Sequence, residues 1–363
     1  MAVTAMGSFR VELGPNSHDV HVGSGLLDRL GELARAAGLK PGRTALVTDS
    51  NVARLFGSCA KNSLADAGFE VALIEVPAGE ESKSLAALET VYDRLVEAEL
   101  ERSSPLFALG GGVVGDLAGF AAATYLRGLP LVQIPTTILA QVDSALGGKT
   151  AVNHRAGKNL IGAFYQPRLI VADVATLTTL PEREFREGLA EVIKYGAIMD
   201  AQMVAMLERN LPAILKRDPS RLEEIVDRSL RHKAAVVQSD EREGGLRKIL
   251  NFGHTIGHAL EATSGYGHYL HGEAVAIGMI AAGKLSRTYT GLSADDGARL
   301  ENLITAAGLP TRLPEGLHPG EFAHTLRLDK KRAGEGIEFV LLDRLGHALT
   351  RNLTFDEIMA SLL

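Results

Sequence analysis

Residues 106–116 read Leu106-Phe107-Ala108-Leu109-Gly110-Gly111-Gly112-Val113-Val114-Gly115-Asp116, and a helical pattern runs on from there through Ala123. Four consecutive apolar residues suit a strand buried on both faces. Glycines then let the backbone turn sharply, and a core helix follows. The wider stretch Leu106–Leu126 is apolar enough to be mistaken for a membrane span. It holds Asp116, Thr124 and five glycines, however, and a spanning helix would carry that carboxylate into hydrocarbon at a cost on the order of several kcal/mol. A strand, a turn and a helix therefore explain it better.

The same unit repeats outward. Arg10–Leu13 and Asp19–Val22 alternate around the Gly14-Pro15-Asn16-Ser17 turn and read as a hairpin. Thr44–Thr48, Val71–Val76, Leu131–Pro135 and Leu169–Ala172 are further short apolar strands. Helical patterns over Leu26–Ala37 and Leu85–Ala98 lie between strands. Strands alternating with helices predict an α/β domain with a mainly parallel, Rossmann-like sheet. After Pro181 the periods become helical: 184–198, 201–207, 221–239, 254–263, 273–289 and 294–307, with one late strand at Ile337–Leu342. A domain boundary is expected near residue 180, with an α/β domain over 1–180 and a mainly α-helical domain over 181–363.

With 46% hydrophobic and 23% charged residues the chain is globular. Its net charge of −6, with both signs interspersed, gives no basic field for nucleic acid or an anionic membrane. One cysteine, Cys59, excludes an intrachain disulfide and leaves His, Asp and Glu as metal ligands. Met1–Val11 has no charged segment followed by an apolar run, so no signal peptide and a cytoplasmic location are expected.

Gly110, Gly112 and Gly115 satisfy the spacing G-x-G-x-x-G, in which a helix N-terminus faces a pyrophosphate. A tight packing turn between strand and helix would look the same. No acidic residue lies about 20 positions downstream to hold a ribose, as the motif usually has; that region is Pro135-Thr136-Thr137. Asp49, which ends an upstream strand, and the polar loop Pro77–Lys83 lie at strand ends, where open α/β sheets bind ligands.

A second signal lies in the helical half. Asn251–His258 puts His254 and His258 one turn apart on one helix face, and His268 and His271-Gly272-Glu273 follow. Four of the eleven histidines fall within eighteen positions, which favours a metal or proton-transfer site over isolated structural histidines. Glu191 and Lys194 share a helix face; taken alone, they read as a surface salt bridge. Lys149 and Lys158 read as sitting beside glycines in loops, where a lysine suits a phosphate as a point charge. Gly147-Gly148-Lys149-Thr150 is not a P-loop, because Asp143 stands where its first glycine belongs. Lys233 and Arg247 are further candidate anion contacts.

Together, Gly110–Asp116, Tyr125–Gly128, Pro135–Thr137, Asp143–Asn153, Gly157–Pro167, Leu180–Phe185, Gly188–Gly196, Asn251–His258 and His271–Met279 resemble the 3-dehydroquinate synthase family, in order, over nearly the whole chain. The resemblance implies a dehydroquinate synthase-like fold, NAD, one zinc or cobalt ion, and a homodimer. Implied metal ligands are Glu191, His254 and His271, which frees His258 for proton transfer. Substrate positions are Asp143, Lys149, Asn159, Lys194, Lys233, Arg247, Asn251, one of Lys330 and Lys331 (Lys330 is favoured), and Arg127, reaching a neighbouring subunit's site. Among these, Lys149, Lys194, Asn251 and Arg247, together with His258, are the implied catalytic set. Cofactor contacts are Asp49, Asn51, Glu80 or Glu81, Lys83, Gly111, Gly112, Val113, Asp116, Thr136, Thr137, Asp143, Lys149, Lys158, Thr176 and Thr179.

The implied reaction converts 3-deoxy-D-arabino-heptulosonate 7-phosphate to 3-dehydroquinate and phosphate. It runs through transient oxidation by NAD, phosphate elimination, re-reduction, ring opening and an aldol closure. A cyclase making a valiolone or deoxy-inosose ring is the near alternative. A metal-dependent polyol dehydrogenase would have no use for the phosphate-facing Lys149, Lys194 and Arg247, and a non-catalytic NAD-binding regulator would not need a complete ligand set.

Overall fold

The computed structural model describes residues 7–264, 268–313 and 336–362. The chain divides into two compact units: Met1–Leu180 with Pro219–Arg242, and Pro181–Asp218 with Glu243–Leu363.

In the first unit β1 (Gly7–Val11) and β2 (His18–Gly23) form the expected hairpin. They are followed by α1 (Leu30–Ala36), β3 (Arg43–Asp49), α2 (Ser50–Val52) and α3 (Ser58–Asp66). Next come β4 (Glu70–Val76), α4 (Leu85–Glu97), β5 (Leu106–Gly110), α5 (Gly112–Thr124) and β6 (Leu131–Pro135). The run ends with β7 (Lys149–His154), β8 (Gly157–Phe164) and β9 (Leu169–Asp173). Seven strands form one sheet in the order β1-β2-β9-β6-β5-β3-β4, parallel except at β1–β2. Every residue of β5, β6 and β9 is buried, because helices cover both faces. Leu30 of α1 and Leu64 of α3 pack with Leu46, Phe107 and Ile134 on one face. Leu88 of α4 and Leu117 of α5 pack with Ala45, Leu106 and Leu131 on the other. The register pairs Thr48 with Leu109 and Gly110 with Pro135, so the carboxyl ends of β3, β5 and β6 line up along one edge.

In the second unit α6 (Glu182–Met199) and α7 (Ala201–Leu215) come first. The chain then returns to the first unit for α8 (Pro219–Ser239). The second unit resumes with α9 (His254–Thr263), α10 (His271–Tyr289), α11 (Ala294–Ala306), the antiparallel pair β10 (Ile337–Arg344) and β11 (His347–Leu353), and α12 (Phe355–Leu362). Helix α10 is its axis, with α6, α9 and α11 against it. Among the described residues no helix is long and apolar enough to cross a membrane.

Three expectations change. A single boundary near residue 180 would assign α8 to the second domain. Instead its apolar stripe, with Leu222, Val226 and Leu230 fully buried, packs on β1, β2 and the turns 140–144 and 174–179. The glycine-flanked segments around Lys149 and Lys158 are strands, not loops: β7 and β8 pair antiparallel, although Gly and Asn weaken strand propensity there. The late strand also has a partner, β11, whose Thr350, Arg351 and Asn352 hide the usual apolar alternation.

Candidate active site

In the second unit the pieces of a candidate cation site come together from three helices. The possible ligand atoms of Glu191 on α6, His254 opening α9 and His271 opening α10 all lie within 4.8 Å of one another. Glu191 Oε1 is 3.6 Å from His254 Nε2 and 3.7 Å from His271 Nε2. Glycines permit the approach. Gly253 has a φ of +80° and sits so close to α10 that a Cβ would meet Met279 Cγ and the Val275 carbonyl oxygen at 2.8 Å. A Cβ at Gly278 would in turn strike the Gly253 carbonyl, and one at Gly272 the Glu187 backbone of α6. The glycines of the two histidine motifs are thus what allows α9, α10 and α6 to converge.

Each imidazole is also held from behind. His254 Nδ1 donates to the Phe252 carbonyl at 3.2 Å, leaving Nε2 as the lone-pair donor. His271 Nδ1 lies 3.5 Å from Glu261 Oε2. Glu187 accepts the Gly272 amide at 2.8 Å, Glu273 accepts the Leu270 amide at 2.9 Å, and Arg183 clamps Glu273 with two 2.7 Å bonds. Sequence reasoning missed Glu187 and Glu261. Their only linear signal is helical spacing, Glu187 one turn before Glu191 and Glu261 three residues after His258.

Electrostatics separates the two histidines. Burial, helped by the Lys194 charge, pushes His254 down to about 3, so its imidazole is neutral, the form that can hold a cation. Burial also opposes charge on His271, but hydrogen bonding to Glu191 and Glu261 outweighs it and raises that ring to about 10. Burial raises Glu187 to about 7 against the Gly272 hydrogen bond. The region between Glu191 and Glu261 therefore favours positive charge. Lys194, only 1% exposed, pairs with Glu191, itself 0% exposed. This is an i,i+3 ion pair, but a buried one, not the solvated bridge that its helix segment suggests in isolation.

Around the cluster, His258 is exposed, its ring 5.4 Å from that of His254 and 6.0 Å from that of His271. Arg247 is buried and Asn251 half-buried in the short turn Leu246–Asn251 before α9. Lys330 and Lys331 lie outside the described residues. His268, the remaining histidine of the cluster, is exposed, and its carbonyl accepts from Arg183 at 2.9 Å.

In the first unit the expected cofactor residues gather at the carboxyl edge of the sheet. The connection from β3 leads to α3 on one face and that from β5 leads to α5 on the other. Their carboxyl ends therefore flank a crevice at a topological switch point. Asp49 ends β3 and accepts the Asn51 and Val52 amides at 2.9 and 3.1 Å. Gly111 precedes α5, whose first turn has no side-chain cap, a helix start at which the Gly112 and Val113 amides could donate to an anion. Gly110 and Gly115 have packing reasons of their own: a Cβ would meet Val114 at 2.7 Å or Gln133 Oε1 at 2.9 Å. The packing reading of the glycine turn therefore holds at Gly110 and Gly115, while the uncapped start of α5 leaves the Gly112 and Val113 amides suited to an anion.

Thr136 follows β6, its amide bonded to the Gly110 carbonyl at 3.0 Å, and Thr137 Oγ1 accepts the Ala140 amide at 3.1 Å. Thr176 and Thr179 cap successive turns after β9. Lys83 reaches Asp116 at 2.5 Å; burial raises the Asp116 carboxyl and Lys83 counters it. Glu80 accepts from Asn153 at 2.7 Å, while Glu81 is exposed. Lys233 on α8 donates to the Asp143 carbonyl at 2.6 Å and to its carboxylate at 2.8 Å. This pair explains why α8 belongs with the first unit. Lys149 opens β7 exposed, Lys158 is half-buried in β8, and exposed Asn159 has a φ of +58°. Arg127 is exposed on a left-handed loop with a φ of +68°.

Residues 73–187 match the model of the 3-dehydroquinate synthase N-terminal domain, and residues 188–332 that of its C-terminal domain. A 3-dehydroquinate synthase of Desulforamulus reducens is 52% identical over 94% of this chain and 95% of its own. The 2-epi-5-epi-valiolone synthase of Streptomyces hygroscopicus subsp. jinggangensis, solved with NAD+ and Zn2+, superposes with a TM-score of 0.87. It is 29% identical and the match covers 100% of this chain and 98% of that one. A 2-deoxy-scyllo-inosose synthase, solved with carbaglucose-6-phosphate, NAD+ and Co2+, gives 0.88 at 26% identity, covering 98% of this chain and 99% of that one.

Proposed function

The chain belongs to the 3-dehydroquinate synthase family, and we propose that it converts 3-deoxy-D-arabino-heptulosonate 7-phosphate to 3-dehydroquinate and phosphate. The observation that carries this reading is the convergence of Glu191, His254 and His271 within 4.8 Å. Two imidazoles and one carboxylate suit zinc or cobalt and leave coordination positions open. When bound, the cation would polarise a substrate hydroxyl and NAD would take and return a hydride, so NAD is used but not consumed.

The chain's own residues have distinct tasks in this reading. Glu191, His254 and His271 hold the cation, and Lys194 pairs directly with Glu191. Lys149, Asn159, Lys233, Arg247, Asn251 and Lys330 bind the substrate's anionic and hydroxyl groups, with Arg127 serving a partner subunit in a homodimer. The positive charges of these lysines and Arg247 balance the leaving phosphate. Exposed His258, beside two ligand rings, is suited to move a proton on the substrate. The amides of Gly112 and Val113 take the dinucleotide pyrophosphate, and Asp49 and Asn51 its adenosine side. The activity is that of a phosphate-eliminating lyase, and a cytoplasmic location suits it. The related ring-forming cyclases share the fold at 26–29% identity. The 52% identity to a 3-dehydroquinate synthase favours that product.

The test is phosphate release from the heptulosonate phosphate with sub-stoichiometric NAD. Sustained release without net NADH, stopped by a chelator and restored by zinc or cobalt, is expected. Net NADH formation would overturn the cyclase reading.

A further inference from the structure

We infer that Glu261 is a positioning residue for the metal centre, holding the His271 ring so that Nε2 faces the cation. The inference rests on the metal reading of Glu191, His254 and His271. Glu261 lies seven residues after His254 and three after His258, on the same side of α9. Its side chain is 9% exposed, and its Oε2 is 3.5 Å from His271 Nδ1. On the other side of the ring, Nε2 faces Glu191 at 3.7 Å. His271 thus stands between two carboxylates from two different helices, one for each ring nitrogen. An acceptor behind Nδ1 fixes the tautomer with the proton there and makes Nε2 a stronger donor.

The counterpart on His254 is different in kind. Its Nδ1 meets a neutral backbone carbonyl, that of Phe252, whereas that of His271 faces a carboxylate, so the two rings are oriented by different groups. Anchoring of the α10 N-terminus is a separate matter, because Glu187 already takes the Gly272 amide and Glu273 the Leu270 amide. Glu261 is directed at the ring instead.

The experiment compares Glu261→Ala and Glu261→Gln with the native protein and with His271→Ala. Zinc affinity is read by chelator competition, the cobalt-substituted absorption spectrum reports ligand geometry, and thermal unfolding of the metal-free protein reports the fold. Glu261→Ala is expected to weaken zinc binding about 10–100-fold, to alter the cobalt spectrum, and to leave metal-free unfolding near native. Glu261→Gln, which keeps an acceptor but no charge, should fall between the two. Should the alanine variant fail to fold, the glutamine variant decides: weakened zinc binding supports the role and native binding overturns it. Native zinc affinity in both variants also overturns it. Zinc retained by His271→Ala would instead remove the ligand assignment, and with it the reading beneath.

Discussion

Replacing Glu191 by leucine should strip the protein of its metal and also destabilise it without any metal present. The Lys194 side chain is 1% exposed and pairs with a carboxylate that is 0% exposed, so the ammonium cannot reach water when its partner goes. Breaking a buried pair from one side costs about 3–5 kcal/mol, whereas replacing both partners with apolar groups is close to neutral. At about 2–4 °C per kcal/mol for a unit of this size, the metal-free Glu191→Leu protein should melt roughly 6–20 °C lower. The double variant Glu191→Leu/Lys194→Met should recover most of that loss while still binding no zinc. Thermal unfolding in chelator, monitored by circular dichroism, measures the first effect, and elemental analysis the second. A single variant melting within about 2 °C of native would refute the argument that this pair is a buried charge system. A double variant no more stable than the single one would do the same.

Gly278→Ala places a Cβ against the Gly253 carbonyl. Overpacking between α9 and α10 should cost about 1–3 kcal/mol and lower zinc occupancy, because the same contact spaces His254 from His271. Native melting and full zinc content would contradict that account. Lys149→Ala, at the exposed start of β7, should raise the KM for the sugar phosphate far more than it weakens NAD. Equal losses would count against a phosphate role. Gly115→Val, pressed against Gln133, should destabilise the first unit in the absence of NAD. If only NAD affinity changed, the packing explanation of that glycine would fail.

Much of this was legible in the linear order because the signals are local. Leu106–Leu109 before three glycines announces a buried strand and a turn into a helix, and β5 and α5 form there. The i,i+4 histidines are placed on one helix face by the helical repeat alone. Other features depend on what a segment packs against, which local spacing does not carry. Glu191 and Lys194 have the spacing of a surface pair, and only the helices closing around α6 make them a buried one. α8 has an ordinary amphipathic period, yet its stripe meets β1 and β2, which lie some two hundred residues earlier (roughly,). Which imidazoles stand against Glu191, and which carboxylate stands behind His271, depends on glycine contacts between helices far apart in sequence. Periodicity reports one face of one element; only tertiary packing brings several faces to the same point.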